Sequence, residues 1–148
     1  MPLAPGVTVR VVAARPTVVV ATTSWRDFPT QWPPMLDEVH ACVRRHGSAS
    51  QGCNVMLYKD DIPNVEVGVE LIVPCVLDSP VIRSALPSGE VAMTVHRGPY
   101  QDLGVAHETV TRWCAENGLA LADPRWEVYG DWRDDPAELE TDSYYLLR

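Results

Sequence analysis

The segment Trp126-Glu127-Val128-Tyr129 sets a carboxylate two residues before a phenol. Successive side chains of an extended strand point to opposite faces, so Glu127 and Tyr129 share one face and Trp126 and Val128 the other. An acid among aromatic rings suits a flat cation, because the carboxylate supplies charge while ring faces add cation–π and stacking contacts worth about 0.5–2 kcal/mol each. Glu127 can equally be a solvated strand residue or pair with Arg97, Arg125 or Arg133. If it is partly buried in an empty groove, desolvation is expected to raise its pKa.

Other chemistries find less support. His40, His46, His96 and His107 show no H-x-x-x-H or H-E-x-x-H spacing, and no Cys/His set along the chain has zinc-site spacing, so neither a metal nor any other cofactor is expected. His96 is read as terminating its strand by a hydrogen bond rather than as a base. There is no G-x-S-x-G, G-x-G-x-x-G or P-loop sequence, which removes the serine-hydrolase and nucleotide readings. With a net charge of -8 and a single lysine, Lys59, the chain lacks the clustered cations that phosphate backbones require, so direct nucleic-acid binding is not expected. Cys42, Cys53, Cys75 and Cys114 form no C-x-x-C pair and suit reduced thiols; no export signal or membrane-length apolar run occurs, so a cytoplasmic protein without a membrane partner is expected.

The elements that position these residues emerge when the sequence is laid on itself. An offset that sets Ala21 on Ala92 also sets Val39 on Val110, Gly47 on Gly118 and Tyr58 on Tyr129. What repeats is an order of patterns. Thr17 to Thr23 is a β-branched run, and Val91 to His96 is its counterpart. Helices follow. In the first, Pro33-Pro34 suits the opening turn, Met35, Leu36, Val39, Cys42, Val43 and His46 recur at helical spacing, and Gly47 stops it. The second starts near Tyr100, carries Leu103, Ala106, Val110, Trp113 and Cys114 on one face, and ends at Asn117-Gly118. Strand pairs then follow at Asn54–Tyr58 with Val67–Val73, and at Trp126–Tyr129 with Ser143–Leu147. Short runs at Val7–Val12 and Val81–Leu86 give each half one extra strand.

The fold class implied is α+β: two pseudo-symmetric strand-helix-strand-strand repeats of about residues 7–75 and 78–148 in a single domain spanning 1–148, with a mainly antiparallel curved sheet, two helices on one side and a central ligand groove at the pseudo-twofold axis. The repeat sets Val55 and Leu57 beside Trp126 and Val128, an apolar group expected to face the helices. Met56 and Tyr58 then join Glu127 and Tyr129 on the opposite, concave surface. Trp25 sits either at the rim or in the core, and Tyr100 either at the site or packed under the start of its helix. Trp132 and Tyr145 either close one end of the groove or serve a surface turn and sheet packing.

Two stretches resemble a known family. His96-Arg97-Gly98-Pro99-Tyr100 with the helix exit Trp113 to Gly118, and Pro124-Arg125-Trp126-Glu127-Val128-Tyr129, are similar to the H-x-G-x-Y and P-x-x-E-x-Y signatures of GyrI-like domains. The likeness is close over about residues 87–148 and one of pattern in the first half. It implies a groove for a bulky hydrophobic or cationic aromatic small molecule, in drug sensing or sequestration, with Glu127, Tyr129, Tyr58, Met56, Trp25, Tyr100 and Tyr145 as ligand-binding residues. Many such domains are fused to a helix-turn-helix, for which this chain leaves no room. Some relatives instead hydrolyse electrophilic cyclopropane-containing natural products; that alternative gives Glu127 the role of orienting or deprotonating water and gives Tyr58 or Tyr129 that of hydrogen-bonding the developing anion. A third reading, inhibition of a protein partner whose identity is unknown, rests on the acidic stretch Asp131–Asp142.

Overall fold

A computed structural model describes residues 6–22, 28–46, 51–60 and 64–148. Its strands are β1 (Thr8–Val12), β2 (Arg15–Thr22), β3 (Asn54–Tyr58), β4 (Val65–Glu70), β5 (Ile82–Leu86), β6 (Gly89–Arg97), β7 (Leu121–Tyr129) and β8 (Glu140–Leu147). Helix α1 (Phe28–Arg45) follows β2, and α2 (Leu103–Glu116) follows β6 after a 3-10 turn at Tyr100–Asp102. All strand pairs are antiparallel, in the order β1-β6-β8-β7-β3-β4-β2-β5. That order is a palindrome about the β3–β7 pair, as two copies of one unit meeting about a twofold axis require. At the axis Met56 pairs directly with Glu127.

The extra strands are exchanged between the halves. β1 pairs with β6 of the second repeat and β5 pairs with β2 of the first. This exchange curls the sheet. Two residues join β1 to β2 and two join β5 to β6, yet each connection links strands six places apart in the order. A flat sheet would separate such strands by roughly 30 Å at about 4.8 Å per strand, whereas three peptide links reach about 11 Å. The two edges must therefore be drawn toward each other.

The curl explains the main departure from the sequence reading. Val55, Leu57, Trp126 and Val128 do not face the helices; they lie inside the curled sheet with Leu86, Val91, Met93 and Tyr144, where Trp126 stacks on Tyr144 at 5.4 Å. The helices cover the outer face. There Val39, Cys42 and Val43 of α1 pack on Val18 and Val69, and Val110 and Cys114 of α2 pack on Ala92, Tyr145 and Leu147. Trp113, expected in the core, is only partly buried at the edge of the second cluster. Met56, with Val65 and Val67, meets Met35 and Leu36 on this same helix-bearing face. The sequence reading missed this because alternation separates two faces but does not say which one a helix covers.

Smaller boundary shifts follow local chemistry. α1 begins at Phe28, so Pro33 and Pro34, its sixth and seventh residues, lie within the helix rather than in its first turn, and each removes one N–H that would bond the carbonyl four residues back. β4 runs Val65–Glu70, earlier than the expected Val67–Val73. Gly118 takes the left-handed cap with φ +67 after α2, as expected, while Gly47 lies outside the described residues. All four cysteines are free thiols, and among the described residues no helix is long and apolar enough to cross a membrane.

Gly68 sits where β4 passes between β2 and β3, and a Cβ there would stand 1.9 Å from the Val18 carbonyl oxygen, a backbone atom. Gly68→Ala is expected to cost about 3 kcal/mol or to prevent folding, measured by denaturant unfolding; an unchanged midpoint would show that the sheet is less tightly coiled than described.

Candidate functional site

The β3–β7 pair at the twofold axis forms the floor of a groove of about 770 Å³. Met56 and Tyr58 come from β3, Glu127 and Tyr129 from β7, and Val67 from β4. α1 supplies Trp32 and Leu36 as one wall. Tyr100 of the 3-10 turn, Leu103 at the start of α2 and Trp132, from the turn after β7, also line it. The walls are therefore apolar, and the floor holds one acid.

Glu127 is 4% exposed, and its charge is met by neutral and imidazole donors rather than by an arginine. Tyr58 and Tyr129 donate their hydroxyl protons to Oε1 at 3.1 and 2.5 Å. On the other oxygen, His107 Nε2 lies 2.5 Å from Oε2. An ionised carboxylate only accepts, so Nε2 carries the proton there. His107 Nδ1 lies 2.7 Å from the Tyr145 hydroxyl, which donates to the ring when it is neutral and accepts from it when it is charged. Arg97 is instead paired with Glu140, and Arg125 lies over the Tyr58 ring at 4.9 Å.

These contacts reverse the expected titration. Burial alone pushes the Glu127 carboxyl up, but the His107 hydrogen bond and charge, with the two phenolic donors, outweigh it, and the group is held below its ordinary value. The phenols move the other way: burial first, then the neighbouring Glu127 charge, raises both Tyr58 and Tyr129, so each keeps the proton it donates.

Of the residues singled out in the sequence, Met56, Tyr58, Tyr100, Glu127 and Tyr129 come together at the groove, with Tyr100 edge-on to Tyr129 at 5.6 Å. Tyr145 does not line it; it stands behind His107 as the outer member of the network. Trp25 lies outside the described residues. His96 Nε2 is 3.1 Å from the Pro99 carbonyl oxygen, in keeping with a turn-forming role. The acidic stretch is partly absorbed into structure, since a 3-10 turn occupies Pro136–Glu138, β8 begins at Glu140, and Leu139 and Thr141 are buried.

His107 is the residue that sequence reasoning missed. It falls one turn from Leu103 and Val110 on the inner face of α2, and the offset that sets Met56 on Glu127 also sets Leu36 on His107. In the first repeat the helix–sheet contact is apolar, Leu36 with Met56; in the second the same contact is His107 with Glu127. The difference extends to the neighbouring strands. Val65 and Val67 pair with Tyr58 and Met56, whereas Thr141 and Ser143 pair with Tyr129 and Glu127. A simultaneous polar change at two positions that an apolar contact joins in the other repeat was the available signal.

His107→Leu leaves one oxygen of a buried carboxylate without its donor and is expected to cost about 2–3 kcal/mol. Adding Glu127→Met copies the apolar pair of the first repeat and should recover most of that loss in thermal or denaturant unfolding; a double variant no more stable than His107→Leu would contradict the pairing. A second expectation concerns pH. Because the folded pKa of Glu127 is depressed, its contribution is fully present above the ordinary value of 4.5 and is lost as pH falls through the lowered folded value. The unfolding free-energy gap between the native chain and Glu127→Gln should hold constant near neutrality and shrink below pH 4.5; a gap that widens on acidification would mean the carboxyl is raised.

Residues 59–148 match the model of the GyrI-like small molecule binding domain. No curated protein sequence matches the chain. Solved structures of similar fold include the EcmrR C-terminal domain (TM-score 0.77, 17% identity, 96% of both chains covered). SAV2435 bound to tetraphenylphosphonium is similar at TM-score 0.70 and 12% identity, over 96% of this chain and 93% of that one. A hydrolase from Listeria innocua is similar at TM-score 0.61 and 11% identity, over 96% and 91%. At these identities the structures bear on the fold alone, but the domain match covers well over half of the sequence and includes β7 with Glu127: the chain belongs to the family of GyrI-like small-molecule-binding domains.

Proposed function

We propose that this domain binds a bulky, hydrophobic, cationic aromatic small molecule in its groove, and that it does so as a sensing or sequestering protein in a reducing cytoplasm. The observation that carries this reading is the setting of Glu127: buried, and hydrogen-bonded on both oxygens at the floor of an apolar groove. Such a carboxylate offers charge with three of its roughly four accepting positions already filled. It favours a cation whose charge is spread over or shielded by carbon, held against ring faces and apolar walls, over a primary amine that needs several hydrogen-bond acceptors. That one fold neighbour binds tetraphenylphosphonium supports the same ligand class.

Hydrolysis of an electrophilic cyclopropane is the second reading, encouraged by the fold neighbour described as a hydrolase. The geometry favours it less. A general base must have an acceptor position within reach of the water it deprotonates, and three donors leave Glu127 at most one such position, on the buried Oε2 beside His107.

Calorimetric titration with tetraphenylphosphonium and with neutral triphenylphosphine oxide separates the readings. The native chain is expected to prefer the cation, and Glu127→Gln to weaken it about ten-fold or more, which is about 1.4 kcal/mol, with little effect on the neutral compound. Equal binding of the cation by both proteins would overturn the proposal. Catalytic amounts of a hydrated product from a cyclopropane substrate, lost in Glu127→Gln, would replace it with turnover.

A further inference from the structure

Away from the groove, the last turn of α1 meets the connection from β4 to β5. We propose that this junction is a zinc-type metal site, with Cys42, His46 and Asp78 as ligands and Cys75 as the fourth. One donor atom from each of Cys42, His46 and Asp78 lies within 4.8 Å of the other two. His46 directly follows α1, and its N–H bonds the Cys42 carbonyl oxygen at 3.2 Å, which keeps the two residues one turn apart. Asp78 is brought to them by its own backbone, whose N–H points at the Cys42 sulfur at 3.5 Å. His46 Nε2 stands 2.8 Å from Asp78 Oδ2, so an ion would take the place of the proton they share.

Cys75 stands outside that 4.8 Å group, and its sulfur reaches the ion only by turning toward it. Cys75 Sγ lies 3.4 Å and Cys42 Sγ 3.8 Å from the same acceptor, the Val76 carbonyl oxygen. The chain therefore offers Cys42-x-x-x-His46 and Cys75-x-x-Asp78, two short-range pairs that no single spacing rule joins and that the fold brings together.

Two sulfurs, an imidazole and a carboxylate suit Zn²⁺ or Co²⁺ far better than Mg²⁺ or Ca²⁺. Bonds of about 2.0–2.3 Å set tetrahedral ligand atoms roughly 3–4 Å apart, so closing Cys42, His46 and Asp78 on an ion takes about an ångström of side-chain movement. Arg45 competes for the same Asp78 oxygen, Oδ2, and would have to yield it to the ion. Binding would release the thiol protons of the two cysteines and the proton between His46 and Asp78, so affinity should fall on acidification. The ion would tie the β4–β5 connection to α1, the helix that carries Trp32 and Leu36 into the groove.

The test is titration of the reduced, full chain with Co²⁺, followed by displacement with Zn²⁺. One equivalent is expected, with a thiolate-to-cobalt charge-transfer band and tetrahedral d–d bands that Zn²⁺ abolishes. His46→Asn and Asp78→Asn alter solvent-facing side chains and should preserve the fold, yet each should weaken binding about ten-fold or more. Cys75→Ser should diminish the charge-transfer band, and Cys53→Ser should leave it unchanged. Absence of a sulfur band, or binding indifferent to both His46→Asn and Asp78→Asn, would overturn the proposal. Neither result bears on the cation groove, which contains none of these residues.

Discussion

The structure turns on one buried carboxylate. Removing Glu127 from water is costly unless its oxygens are met by donors, and those donors come from three places: Tyr58 on β3, Tyr129 on β7 itself and His107 on α2. Each must be held to within a few tenths of an ångström. The β3–β7 pairing at the axis does this for the tyrosines, and the packing of Val110 and Cys114 beneath α2 does it for the histidine. The donors thereby hold the carboxyl below its ordinary value although burial alone would raise it. The phenols, raised for the same reason, cannot give their protons away.

A duplicated unit supplies the frame, and divergence between its copies supplies the chemistry. The palindromic strand order and the exchanged edge strands make the two halves one curled sheet with a single inner core. Around the axis, the first copy kept Leu36, Met56, Val65 and Val67 as a greasy layer, while the second presents His107, Glu127, Thr141 and Ser143 at the matching places. The groove thus has one apolar side and one polar side although the backbone is nearly symmetric. A large cation with aromatic substituents has the same division of properties. A charge placed on the axis is also within reach of ring faces from both halves, since Tyr58 and Tyr129 are repeat mates.

Much of this was legible in the sequence. The β-branched runs, the helical spacing of Val39, Cys42 and Val43 and of Ala106, Val110 and Cys114, and the repeat itself are local patterns, and they fixed the element order, the α+β class and the gathering of Met56, Tyr58, Glu127 and Tyr129. What escaped depends on distance in space. Whether Val55 and Trp126 or Met56 and Glu127 lie under the helices is decided by the exchange of β1 and β5, which no alternation pattern records. The direction of the Glu127 titration was misjudged for a related reason: burial can be guessed from a strand, but the donors that outweigh it come partly from α2, twenty residues away. His107 looked like an unremarkable helix residue until its contact was seen, and Tyr145, expected at the groove, supports it from behind.

Binding and turnover make different demands on the same acid. A sensor needs a fixed charge that is never consumed; a hydrolase needs a carboxylate able to accept a proton and release it. Three donors on a buried carboxylate, two of them phenols raised by burial and by the Glu127 charge, belong with the first demand. The most direct measurement is the pH dependence of the Glu127 side-chain carboxyl ¹³C resonance in the ligand-free protein. A midpoint below 4.5 is the result the account requires, whereas a midpoint above it would show a carboxyl raised by burial and would remove the fixed charge on which the groove depends.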